Sequence, residues 1–80
     1  MQEKVLAFVL ISTELGCERH VLDDLKKVED VREAFIVYGI HDIVAEIEGD
    51  SQDEIKKAVF TRIRGFPDVK SSLTLVVSHS

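Results

Sequence analysis

Residues 4–13 read KVLAFVLIST and are apolar on both parities: Val5, Ala7, Val9 and Ile11 alternate with Leu6, Phe8 and Leu10. Successive side chains of a strand point to opposite faces of its sheet. The segment therefore predicts a strand that is covered on both sides. The chain has 80 residues, enough for one domain spanning residues 1–80. A domain of this size buries about 60% of the surface its unfolded chain exposes, so it commonly needs outside support. Disulfides and structural zinc do not supply it. Cys17 is the single cysteine, and no group of Cys and His has zinc spacing. Association of one sheet with another is the support that remains.

The rest of the chain supplies the other elements. From Cys17 to Val28, the apolar residues Cys17, Val21, Leu22, Leu25 and Val28 recur at spacings of three and four, the face of an amphipathic helix. VREAFIVYG, residues 31–39, predicts a second strand, with Val31, Phe35 and Val37 on one parity and Ala34, Ile36 and Tyr38 on the other. HDIVAEIEG, residues 41–49, predicts a third strand, joined to the second by a very short hairpin link at Gly39. Asp50 or Ser51 caps a second helix from about Gln52 to Arg64, with Ile55, Ala58, Val59, Phe60 and Ile63 apolar and Gly65 and Pro67 ending it. VKSSLTLVV, residues 69–77, is the last strand. The order β-α-β-β-α-β predicts an α+β, ferredoxin-like fold: a four-stranded antiparallel sheet with both helices on one face. The second apolar face then predicts dimerisation sheet to sheet, a dimeric α+β barrel.

Charge excludes one class of partner. Fifteen acidic residues against ten basic ones give a net charge of −5, with the lysines and arginines scattered. Phosphate backbones select clustered cations, so direct nucleic-acid binding is not expected. No apolar stretch approaches the roughly 18 residues a membrane span needs, and no signal-peptide pattern opens the chain, so a cytoplasmic protein is expected.

Candidate chemistry is sparse. His41 and Asp42 are adjacent, and neighbours on a strand point apart, so they make a poor general-base pair. No residue is placed to complete a triad, so no catalytic residue is assigned and no enzyme is expected. His20 reads as a helix-surface histidine, and His79 lies near the terminus. Three scattered histidines give no metal site, and no cofactor is indicated. Cys17 reads as a small apolar residue. Arg32, Arg62 and Arg64 could each hold a carboxylate or phosphate, although solvated charge is the commoner fate. Ser71, Ser72 and Thr74 are either ordinary strand residues or hydroxyl donors to a small polar ligand.

Two stretches, in order and at the right distance, carry a resemblance: VEDVREAFIVYGIHDIVAEIEGD and IRGFPDVKSSLTLVV. They resemble the RAM domain (regulation of amino-acid metabolism), the effector-binding half of Lrp/AsnC transcription regulators, over residues 3–77. The first matches a run in which an aliphatic strand leads to Tyr-Gly-x-x-Asp; the second departs from the usual Pro-Gly-Val, with Asp68 where glycine is common. No helix-turn-helix segment is present, so the chain resembles the stand-alone form. The resemblance implies sheet-to-sheet dimers assembled into octamer-like rings, an amino acid held between dimers, and association with a full-length Lrp/AsnC-type regulator. It implies ligand contacts from Tyr38, Gly39, Ile40, His41 and Asp42, with Ser71, Ser72 and Thr74 close by. Backbone amides beside Gly39 would hold the α-carboxylate, and Asp42 the α-ammonium. On this reading, replacing Asp42 by alanine removes binding and leaves the fold. The alternative is a small ferredoxin-like enzyme such as a cofactor-free monooxygenase, which needs an enclosed cavity. An acylphosphatase would need an arginine in the first strand–helix loop, and TELGCE has none.

Overall fold

The computed structural model describes residues 4–78; His79 lies outside them. Strand β1 (Val5–Thr13) is followed by helix α1 (Glu18–Leu25), strands β2 (Val31–Ile36) and β3 (Ile43–Gly49), helix α2 (Gln52–Ala58), which runs on as a π-turn (Val59–Ile63), and strand β4 (Val69–Val76). The strands form one antiparallel sheet in the order β2-β3-β1-β4. This is the predicted ferredoxin-like arrangement. β1 is central and pairs with both β3 and β4; the helices cover only one of its two apolar parities.

The register sorts the two faces. Ala7, Val9 and Ile11 lie beside Ile47, Ala45 and Ile43 of β3, and all six are wholly buried beneath the helices. Val21, Leu22 and Leu25 of α1 and Ile55, Val59 and Ile63 of the second helical segment close this core. On the opposite face, Phe8 lies beside Leu75, Leu10 beside Leu73 and Val44 of β3 beside Phe35. Phe35, Leu73 and Leu75 there remain about half exposed, at 51%, 50% and 49%. A continuous apolar surface thus runs across all four strands of the uncovered face.

Three features differ from the sequence reading. First, β2 carries an irregularity between Val31 and Glu33, so Val31 faces the helices with Ala34 instead of sharing a side with Phe35. An extra residue shifts the side-chain alternation by one. Second, β2 ends at Ile36, and a six-residue loop, 37–42, replaces the very short link. Third, the second helix leaves α geometry at Val59, and Phe60 is 70% exposed instead of packed in the core. The start of α2 is as expected: Ser51 Oγ accepts from the Glu54 amide (3.2 Å), and the Glu54 carboxylate accepts from the Asp50 amide (2.6 Å). These bonds satisfy donors that a helix N-terminus otherwise leaves open.

Candidate functional site

The loop between β2 and β3 has a pinned base and a bare tip. At the base the Val37 amide donates to the Asp42 carbonyl (2.8 Å), closing the loop. The Asp42 amide donates to the Ile11 carbonyl (2.9 Å), and Asp42 Oδ2 accepts from the Thr13 amide (2.8 Å) and, more weakly, from the Thr13 hydroxyl (3.4 Å). The end of β1 therefore fixes the loop. At the tip, Tyr38 and Ile40 are fully exposed. The amides of Tyr38, Gly39 and Ile40 donate to no protein acceptor among the described residues. Gly39 has φ +142°, a backbone state that side-chain-bearing residues rarely adopt, so the glycine is needed for the shape of the turn.

His41 and Asp42 lie in this loop and not on a strand, yet they do diverge. His41 reaches Ser12 Oγ through Nδ1 (3.3 Å), whereas Asp42 reaches Thr13, its neighbour on the opposite side of β1. No proton relay joins the two. Ser71 sits across from Ser12 in the register, so His41, Ser12 and Ser71 form a polar row at one end of the uncovered sheet face.

Ser72 and Thr74 are elsewhere. They lie beside Ile11 and Val9 in the register, on the helix side of the sheet, and line a groove of about 230 Å³ with Lys56, Val59, Phe60 and Arg64. Thus the structure groups Tyr38, Gly39, Ile40, His41, Asp42 and Ser71 at one end of the sheet and puts Ser72 and Thr74 on its other face. Thr13 and Ser12, which hold the loop, are absent from the sequence reading. Their hydroxyls sit at the end of an apolar strand, and that end faces the loop only once β1 pairs with β3.

Asp42 is also more constrained than the sequence suggests. One carboxylate oxygen is committed to Thr13, and the other, Oδ1, makes no bond within the described residues. Removing the side chain strips the Thr13 amide of its acceptor, so alanine here acts on the anchor of the loop as well as on its carboxylate.

Arg32 and His20 have structural partners. Arg32 Nη1 lies 3.3 Å from Glu46 and 3.4 Å from Glu48, which occupies its guanidinium. His20 Nε2 lies 3.4 Å from Asp24 and 3.7 Å from Asp68, tying α1 to the turn before β4. Partial burial, and then the Asp68 carboxylate, push the Cys17 thiol above its ordinary range, which makes it a poor nucleophile. No group of three or more metal-ligating side chains occurs among the described residues. Among the described residues no helix is long and apolar enough to cross a membrane.

Comparison with known proteins locates the chain. The sequence model of the family described as the Lrp/AsnC ligand binding domain matches residues 6–80. Among curated proteins none matches. Among solved structures, FFRP-DM1 is 32% identical with a TM-score of 0.87, over 91% of this chain and 97% of that one. AsnC of E. coli is 22% identical with a TM-score of 0.89, over 95% of this chain and 52% of its own. The transcriptional regulator NMB0573 of Neisseria meningitidis, solved as its L-Met complex, is 15% identical with a TM-score of 0.85, over 95% of this chain and 51% of its own. The chain thus matches FFRP-DM1 nearly end to end and spans about half the length of the two regulators.

Proposed function

The chain belongs to the Lrp/AsnC ligand binding domain family, and from that membership we propose that it is an amino-acid-sensing module whose ligand is held by the β2–β3 loop. The observation that carries this reading is the loop itself: three amides without protein acceptors around a positive-φ glycine, on a base pinned to the central strand. Free amides suit an α-carboxylate, and Asp42 Oδ1 suits an α-ammonium. Charge-assisted bonds of this kind contribute on the order of 1.5–3 kcal/mol each. Ser71 and His41 line the approach; Ser72 and Thr74 of the same protomer do not. The similar Neisseria regulator, solved with L-Met, supports an amino acid as the effector class.

Two uncovered sheets packed face to face form the dimer. The apolar surface of Leu6, Phe8, Leu10, Phe35, Leu73 and Leu75 supports it, since surfaces of this kind are seldom left to water. Dimers then assemble into a ring, with the loop of one dimer meeting the next. The module acts in the cytoplasm without catalysis and modulates transcription through a full-length Lrp/AsnC-type regulator.

Thermal unfolding in the presence of each of the twenty amino acids tests the sensor. A ligand at about 100 times its Kd adds roughly 2.7 kcal/mol, a rise on the order of 10 °C for a domain of this size. A rise selective for one amino acid, lost in Asp42→Asn, establishes the reading. A flat response to all twenty refutes it.

A further inference from the structure

The uncovered sheet face is not apolar throughout. The register places Glu33 of β2 directly opposite Glu46 of β3, with Phe8 of β1 on the other side of Glu46. Glu48, two residues along β3, lies beside Leu6. Three carboxylates thus gather at one corner of the face that carries Phe8, Phe35, Leu73 and Leu75. Among the described residues, Arg32 is the cation that serves them. It is the extra residue at the irregularity of β2, and its Nη1 lies 3.3 Å from Glu46 and 3.4 Å from Glu48. Glu33 pairs with no cation among the described residues. Lys4, just before β1, is held by Asp50 and also feels Glu48 and Glu54. The end of β4 beside this corner brings Leu75 and Val77, which carry no charge.

Like charges directly opposite each other on paired strands are destabilising, and water eases the repulsion between Glu33 and Glu46 while the face is open. Glu46 has little of that water to lose, since its side chain is 19% exposed within the single protomer. Stacked sheets lie about 10 Å apart, filled by side chains. A second sheet that covers Phe8 therefore covers Glu46, its neighbour in the register. One guanidinium does not neutralise three carboxylates. A carboxylate taken out of water without a partner cation is costly, and neutralisation by a proton relieves the cost. The one other titratable group on this face is His41, which sits with Ser12 and Ser71 at the far end of β1.

We infer that pairing of two copies through this face is a proton-linked switch, in which Glu33 and Glu46 take up protons as the dimer forms. The inference rests on the sheet-to-sheet dimer proposed above and adds how that dimer is regulated. The sign follows from linkage. A carboxylate that is charged in the free protomer and neutral in the dimer strengthens association in acid, and the gain is lost as pH rises. Each proton taken up weakens the dimer by up to about tenfold per pH unit across that range.

Sedimentation equilibrium of the full chain at about pH 5.0 and pH 7.5, at one ionic strength, measures the dimer dissociation constant, and circular dichroism confirms the fold at both. The expected result is a dimer at least about tenfold tighter at the lower pH. Dilution calorimetry in two buffers of different ionisation heat counts the protons directly, with roughly two released per dimer as it separates. Glu33→Gln/Glu46→Gln should dimerise at least about tenfold more tightly than the parent at pH 7.5 and change less than about threefold between the two pH values. Asp23→Asn/Asp53→Asn removes as many charges from the helices and should keep the parent's pH dependence. His41→Gln should keep it as well. Equal affinity at both pH values, a Glu33/Glu46 variant that retains the dependence, or loss of the dependence in either control overturns the inference and leaves the dimer standing. Absence of a dimer at both pH values overturns the sheet-to-sheet reading, and the inference with it.

Discussion

The two faces of the sheet share an apolar central strand and end differently. On one, Val9, Ile11, Ile43 and Ile47 are wholly buried under the helices; on the other, Phe35, Leu73 and Leu75 keep about half their surface, at 51%, 50% and 49%. Both parities of β1 are apolar, so that strand alone does not decide which face the helices take. The decision comes from the connections. The β1–β2 and β3–β4 crossovers bring α1 and α2 to one side, and the described residues place no layer on the other. The first face stabilises the protomer, and the second is available to a second sheet.

That contrast is open to measurement. The largest effect belongs to the closed face. Leu25→Ala removes a fully buried side chain and should cost about 2–5 kcal/mol in denaturant unfolding at fixed protein concentration. On the open face, Phe8→Asp together with Leu75→Asp should leave the protomer folded and raise the dimer dissociation constant at least about a hundredfold, roughly 2.7 kcal/mol. Sedimentation equilibrium reads this directly; an unchanged assembly would mean that the open face is not the interface. The loop that joins the two faces comes next. Asp42→Ala should lower stability by about 1–3 kcal/mol because the Thr13 amide loses its acceptor, whereas Asp42→Asn keeps an acceptor oxygen and should cost less. Equal losses in the two variants would show that charge, and not the hydrogen bond, holds the loop. Gly39→Ala meets no atom within 4 Å, so its cost of about 1 kcal/mol should arise from backbone conformation alone. The smallest effect is Phe60→Ser, within about ±0.5 kcal/mol, since that ring lies outside both apolar faces.

Much of this was legible in the residues. The three-and-four spacing of Val21, Leu22 and Leu25 and the Ser51 cap each read correctly, because each depends on neighbours within a few positions. What failed depends on distant pairing or on one inserted residue. The irregularity in β2 moves Val31 to the helix side without changing composition. The π-turn displaces Phe60 by the same logic, since an apolar residue at α-helical spacing carries no mark of a wider turn. The candidate site split for a related reason. Ser71, Ser72 and Thr74 are close in sequence, but strand alternation sends Ser71 to one face and Ser72 and Thr74 to the other. Asp42 reads as a ligand contact only through the resemblance, and its bond to Thr13 becomes visible only when β1 and β3 are side by side. The loop length was misjudged because Val37 and Tyr38 continue an apolar pattern after the strand pairing has stopped.

The central position of β1 also governs the order in which the molecule can be completed. This strand precedes both of its partners in the chain, and one of them, β4, is the last of the four strands. Until residues 69–76 have emerged, the most apolar segment of the chain has a bare edge as well as a bare face. Pairings between distant parts of a chain form slowly, and unpaired edges are where nascent chains aggregate. The core strand is therefore sealed only after β4 has emerged: loss of β4 would leave it unsealed, and a ribosome stalled before residue 69 would display a strand ready to pair with any neighbour.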